Sequence, residues 1–389
     1  MVEWKTIGEI SYISDYVSNG SFASLRENVQ YKNDPDYAIL VRVADFSCGF
    51  DASKFVYIDE HAYNFLSKSS LEGGEIIMSN VGSCGLLFRC PKLDRKMSLA
   101  PNAILIKSDY IDYLYYWLGS VTGQEEIKKI TSKSAMPKFN KTEFKKITLP
   151  IPSLSEQTRI VGILDTFTSA IENLRQQIVE RRKQYEHYRD QLLDLEGIEG
   201  VEMKFITDVA KSYTGLTYKP DNVSETGTLV LRSSNIDEDS LAFNDNVFVQ
   251  MEIPERAIAK ENDILICVRN GSKRLVGKAA FITKEADGMA FGAFMTVLRA
   301  TAISSKYLFF VWQSEKVRVQ YKGDEAMPIA QITSKDFQRI RIPVPSLQEQ
   351  SRIVSILDTF EASIQNLEAQ LKERERQYEY YRNKLLTFE

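Results

Sequence analysis

Two stretches of this chain have the residue types and spacing to do chemistry on a ligand, and both are basic. From Lys128 to Lys146 the sequence KKITSKSAMPKFNKTEFKK holds seven lysines against one glutamate. From Arg269 to Lys278 the sequence RNGSKRLVGK holds Arg269, Lys273, Arg274 and Lys278 and no acid. Lysine most often sets register on phosphates, whereas arginine can grip a phosphate or the O6/N7 edge of guanine through two parallel hydrogen bonds. Gly271 can let the backbone come close to a ligand. A solvated loop face accounts equally well for the lysine-rich stretch taken alone.

That chemistry is binding, and the chain is poorly supplied for catalysis. It has no G-x-x-x-x-G-K-[ST] loop, no G-x-G-x-x-G, no H-E-x-x-H, no G-x-S-x-G and no N-P-P-[FY]. Its only histidines are His61 and His187. Cys48, Cys84, Cys90 and Cys267 form no CxxC pair, so reduced, mostly buried thiols are expected rather than a metal site. An enzyme with an unrecognised site is the weaker reading. With 389 residues, 43% hydrophobic and 26% charged, the chain reads as a globular protein with room for two or more domains. Neither a membrane-spanning run nor a signal-peptide core is found, so a cytoplasmic location with no membrane partner is expected.

The net charge of −4 argues at first sight against a polyanionic ligand. Its distribution removes the objection. Residues 1–150 carry 18 basic and 18 acidic side chains, and residues 197–341 carry 19 and 19. The deficit lies in 151–196 and 342–389, each with 6 basic and 8 acidic residues. Neutral units with local basic loops bind nucleic acid modestly alone and more tightly with a partner subunit.

Those two acidic segments are an internal repeat. Leu149–Glu196 aligns with Ile342–Glu389 without a gap, with 28 identities in 48 positions. The preceding segments correspond more faintly in the same order: GGEIIMSNVGS from Gly73 with ENDILICVRNGS from Glu261, and AMP at Ala135–Pro137 with AMP at Ala326–Pro328. The chain therefore divides at 1–150, 151–196, 197–341 and 342–389. YAILVRVADF, GEIIMSN and NAILIKS are β-type runs, while DYLYYWLGS and KYLFFVWQSEKV read as helices whose aromatic residues belong to a core.

Each repeated segment opens with Pro-x-Pro and an S-x-x-E capping box, Ser153 with Glu156 and Ser346 with Glu349. An apolar stripe follows in alternating steps of four and three: Ile160, Leu164, Phe167, Ile171, Leu174 and Ile178, then Ile353, Leu357, Phe360, Ile364, Leu367 and Leu371. A 3.5-residue period over this length is that of a coiled coil, with a helix of about 60 Å. The natural partner of each stripe is the other copy; burial on its own globular unit and pairing between molecules are the alternatives. An arginine interrupts both stripes, at Arg181 and Arg374. It can set register, bind a partner, or snorkel over apolar surface.

Two diverged units, each followed by LPIPSLSEQTRIV or IPVPSLQEQSRIV, resemble the DNA-specificity subunit of type I restriction-modification systems, over essentially the whole chain. The resemblance implies an α+β architecture: two mixed α/β target-recognition domains joined by two long helices in an intramolecular antiparallel coiled coil, with pseudo-twofold symmetry. It implies that the subunit reads an asymmetric bipartite site on double-stranded DNA without catalytic activity of its own. Two methyltransferase (modification) subunits using S-adenosylmethionine and two restriction subunits using ATP and Mg would assemble on it. It also places the loops after GEII and NDIL, and around AMP, near DNA. On that basis and on their chemistry, the candidate DNA contacts are Arg42, Asn80, Ser83, Lys133, Ser134 and Lys138 in the first unit. Arg232, Arg269, Asn270, Ser272, Lys273 and Arg274 are the candidates in the second, and Arg269 has no equivalent in the first. A coiled-coil adaptor that binds no DNA is the competing reading.

Overall fold

The apolar runs become central strands because both of their faces are covered. Ala38–Val41, Ile76–Ser79 and Ile264–Cys267 are buried at every position. The computed structural model describes residues 2–321 and 330–388. The second AMP tripeptide, Ala326–Pro328, lies outside these residues.

The chain forms two compact units, Met1–Leu174 with Gln370–Glu389, and Arg175–Ala369. In the first, an antiparallel sheet runs in the order Tyr12–Asp15, Ala103–Lys107, Ile76–Ser79, Leu87–Arg89. A second sheet runs Tyr57–Ile58, Ala38–Val41, Lys96–Leu99, Ser70–Leu71, with its two central strands parallel. The second unit builds the first of these again from Ala210–Thr214, Met295–Ala300, Ile264–Cys267 and Ala279–Phe281. Its other sheet again contains a parallel pair, Thr228–Leu231 with Ala290–Phe291. The faint sequence correspondence between the halves is thus a shared topology. The run YAILVRVADF is strand only over Ala38–Val41. A helix, Val43–Ser47, follows because the Asp45 carboxylate accepts the Arg42 backbone N–H at 2.7 Å and turns the chain.

The matched sequences GEII and NDIL are explained by one turn. Gly74 and Asn262 have φ of 94° and 71°, a left-handed conformation that these two residue types tolerate. The next residue is a buried carboxylate. Glu75 accepts the N–H groups of Glu72 and Gly73 at 2.8 and 2.9 Å, and Asp263 accepts that of Lys260 at 2.8 Å. Arg299, on the neighbouring strand, holds Asp263 through two hydrogen bonds of 2.7 and 2.6 Å.

The aromatic helices, Ile111–Gly119 and Ser305–Gln313, lie in the cores, with Tyr113, Trp117, Tyr307 and Trp312 almost wholly buried. Each also fixes the entry to a long helix: the Tyr113 hydroxyl donates to the Pro150 carbonyl at 2.9 Å, and that of Tyr307 to Pro343 at 3.1 Å.

The long helices span Leu154–Leu192 and Leu347–Leu385, 39 residues each. Their expected capping box is half formed. Ser153 and Ser346 accept the N–H of Glu156 and Glu349, but each glutamate turns outward to the arginine three residues on, Arg159 or Arg352, at 2.6 Å. The buried residues at these starts are the glutamines that follow, whose amides donate back to the Pro152 and Pro345 carbonyls at 2.8 and 2.9 Å.

The stripes bury in two directions at once. Ile160 and Leu164 join the first unit's core beside Leu386 from the far end of the second helix. Ile353, Leu357 and Ile364 join the second unit's core beside Tyr185 and Leu193 from the far end of the first. Ile171 and Ile178 are also buried, while Leu174, Leu367 and Leu371 are half-buried. Phe167 stacks on Tyr381 and Phe360 on Tyr188, each with ring centroids 5.4 Å apart. These are one contact written twice, since a shift of 193 positions converts one pair into the other. The helices therefore pack as an antiparallel coiled coil. Arg374 is exposed, with its guanidinium 5.7 Å from the centre of the Phe167 ring, and Arg181 is half-buried.

Candidate nucleic-acid interface

In the first unit the backbone itself brings the predicted residues together. After the strand Ile76–Ser79, the Gly82 N–H donates to the Pro137 carbonyl at 2.8 Å, and the Phe139 N–H to the Asn80 carbonyl at 3.2 Å. Ser83, Lys133, Ser134 and Lys138 are consequently exposed on one surface. The 132–138 loop is closed by Ser132, whose hydroxyl accepts the Lys138 N–H at 3.0 Å, and by the Ser134 hydroxyl, which donates to the Met136 carbonyl at 2.7 Å. Asn80 is half-buried, and its side-chain oxygen has no hydrogen-bond partner.

The second unit uses the same place in its fold differently. Arg269–Asn270 extends beyond the central strand and pairs with Ala330–Gln331. Asn270 organises the turn, accepting the Ser272 N–H at 2.9 Å and donating to Ser233 at 3.1 Å. Ser272, Lys273 and Arg274 are exposed, while Lys278 turns inward to the Ile236 carbonyl. Arg269 is exposed above Phe294, 5.4 Å from the ring centre, and Phe294 is itself 57% exposed. Sequence reasoning missed Phe294. Its signal was an aromatic residue in FGAF, two positions after Gly292 and outside any helical or strand period.

Arg42 and Arg232 occupy matching positions but are already engaged. Arg42 donates to Asp45 at 2.5 Å and to the Lys54 carbonyl at 2.6 Å. Arg232 donates to the Asp245 carboxylate at 2.8 Å, and its Nε is buried without a partner. Such arginines hold the loop that carries them and meet a ligand only with their outer edge.

No group of three or more metal-ligating side chains occurs among the described residues. The four cysteines are free: Cys90 and Cys267 are buried, Cys84 half-buried and Cys48 exposed. Burial pushes the Cys90 thiol up to about 12, away from the reactive thiolate. Among the described residues, no helix is long and apolar enough to cross a membrane.

The family model described as the type I restriction modification DNA specificity domain matches this chain twice, over residues 1–181 and 198–374. The chain belongs to that family. Among similar proteins, the type I restriction enzyme EcoR124I/EcoR124II specificity subunit of Escherichia coli is 31% identical over 304 residues, covering 72% of this chain and 71% of its own. A putative type I specificity subunit of Haemophilus influenzae is 27% identical over 290 residues, covering 71% and 72%. The fold is likewise shared with a chain from a structural study of assembly and conformational transition of the type I R-M system, at TM-score 0.62, 16% identity and 99% and 97% coverage. The S subunit of M. genitalium gives 0.55, 15%, 100% and 97%. Membership makes this a specificity subunit, and its two globular domains target-recognition domains.

In that setting the exposed lysines have a measurable expectation. Replacing Lys133 and Lys138 by glutamine should weaken DNA binding of the assembled complex about equally on cognate and non-cognate DNA. The slope of log affinity against log salt should fall by about 2, one for each phosphate left without its lysine. An unchanged slope in a salt titration would remove both lysines from the interface.

Proposed function

We propose that this specificity subunit reads an asymmetric, two-part site on double-stranded DNA, one part with each target-recognition domain. Its support is that two domains sharing one core topology present different side chains directly after the matched central strand: Asn80 and Ser83 in one, Arg269 and Arg274 beside Phe294 in the other. A shared core with unlike reading surfaces implies unlike half-sites. The base pairs between them go unread, with the paired helices as spacer. A 39-residue helix is about 58 Å long, between one and two turns of B-DNA at about 34–36 Å each.

The chain supplies recognition and scaffolding, not catalysis. Two methyltransferase subunits with S-adenosylmethionine, and two restriction subunits using ATP and Mg, assemble on it in the cytoplasm. The target adenine flips into a partner's pocket rather than into this chain. The deciding experiment maps N6-methyladenine across the genome of the source cell, with the gene intact and deleted. An asymmetric gapped motif methylated only when the gene is present is the expected result. Identical maps in cells that express the methyltransferase subunit would favour a coiled-coil adaptor that reads no DNA.

A further inference from the structure

The two long helices are near copies, so the intended pairing of first with second has close competitors. A first helix could pair with the first helix of another molecule, and a second with a second. Apolar stripes of the same period do not discriminate among these. Something else has to.

The flank of the stripe differs between the copies in one systematic way. At the position directly after a stripe position, two successive heptads carry Arg175 and Arg182 in the first helix and Glu368 and Glu375 in the second; the heptads outside them hold Thr168 and Arg189 in the first and Glu361 and Arg382 in the second. Arg182 forms direct ion pairs with Glu368 across the seam and with Glu238 of the globular domain, both in the second unit. Beside it the Tyr185 hydroxyl donates to Glu361 at 3.3 Å, and Arg189 and Glu361 line the same cavity. In antiparallel helices this flank meets its own kind across the seam, and facing charges there set partner choice.

The repeat shows what the competing pairings would bring together. Shifted by 193 positions, Glu368 corresponds to Arg175 and Arg182 to Glu375. At the register seen here, two first helices would therefore set Arg175 against Arg182, once on each side of the twofold axis. Two second helices would set Glu368 against Glu375, with Glu361 against Arg382 outside that pair, so the repulsion is strongest between first helices. We infer that this arginine-to-glutamate ladder is a pairing code: it favours first with second and opposes exchange of like helices between copies of the chain. Arg182 and Glu368 are 35% and 41% exposed, so each contact is modest and selection comes from the set acting together. This inference does not depend on DNA reading.

The test inverts the code in the full-length chain. Arg175→Glu with Glu368→Arg puts a second cation against Arg182 in the native pairing, and gives like helices of two molecules complementary charges on both sides of each axis. Adding Arg182→Glu and Glu375→Arg restores opposite signs between first and second helices and repulsion between like ones. Light scattering and sedimentation at low salt should find the unaltered protein at the single-chain mass of 44.5 kDa. The two-site variant should self-associate at least about tenfold more tightly, an effect abolished in about 1 M salt, and the four-site variant should return to a single chain. An unaltered protein that already dimerises through these helices overturns the code. So does a two-site variant that stays single, or a four-site variant that associates as strongly as it. If the two-site variant fails to fold, the four-site variant decides, carrying Glu238→Gln as well because Glu238 also pairs with Arg182: a folded single chain supports the code, and equal failure overturns it.

Discussion

Trp312→Ala should destabilise the second unit by about 4 kcal/mol, in the range for removing a large aromatic side chain from a packed core. Trp312 is fully buried, stacked on Tyr321 at 5.0 Å and on Phe337 at 5.5 Å. The loss should appear in urea unfolding as an earlier transition for one of the two units, with the other unmoved. Trp312 also reaches the reading surface. Its indole N–H donates to the Gly277 carbonyl at 2.9 Å, holding the end of the loop that begins at Arg269. Gly277 has φ +88°, and a side chain there would collide with the Tyr321 hydroxyl, so the loop has little room to settle elsewhere. Trp312→Phe keeps most of the packing and loses that bond, at a further cost of about 1 kcal/mol. Trp117 is the contrast. Its indole N–H is buried without a partner, so Trp117→Phe gives up no hydrogen bond. If the two phenylalanine variants cost the same, the Gly277 contact contributes nothing.

Arg269→Ala should cost the assembled complex about 1–3 kcal/mol of affinity, roughly 5- to 150-fold, and relax selectivity in one half of the site only. The guanidinium rests on the face of Phe294, which orients it while leaving its donors directed outward. Binding to DNA altered in each half-site in turn measures the effect. Equal relaxation of both halves would mean that Arg269 contacts only the backbone. Phe294→Ala should weaken the same half-site less, because it removes the platform and not the donors.

The outcome for the predicted contacts shows where a linear pattern stops being informative. Arg42 and Arg232 read as free cations because their partners, Asp45 and Asp245, are three and thirteen residues away, and nothing in the sequence says which aspartate folds back. Phe294 escapes notice because it follows a buried strand by fold and not by pattern. The capping box is written as S-x-x-E, yet the glutamates choose Arg159 and Arg352, while the glutamines beside them carry the buried hydrogen bonds.

The repeat and the two long helices were legible in the order of residues, because heptad periodicity and a capping serine act over a few positions and survive in both copies; their antiparallel partnership came only with the family resemblance. The family was legible too, since PSLxEQxRIV is local and written twice. Which cations stay available to a ligand was settled only by folding. Folding also made the compact units cut across the helices, each stripe burying partly on its own domain and partly on the far end of the other helix. Those outcomes depend on contacts between residues far apart in the chain, such as Leu386 with the core around Trp117 and Arg182 with Glu368. A linear pattern carries no record of such contacts until the chain has folded.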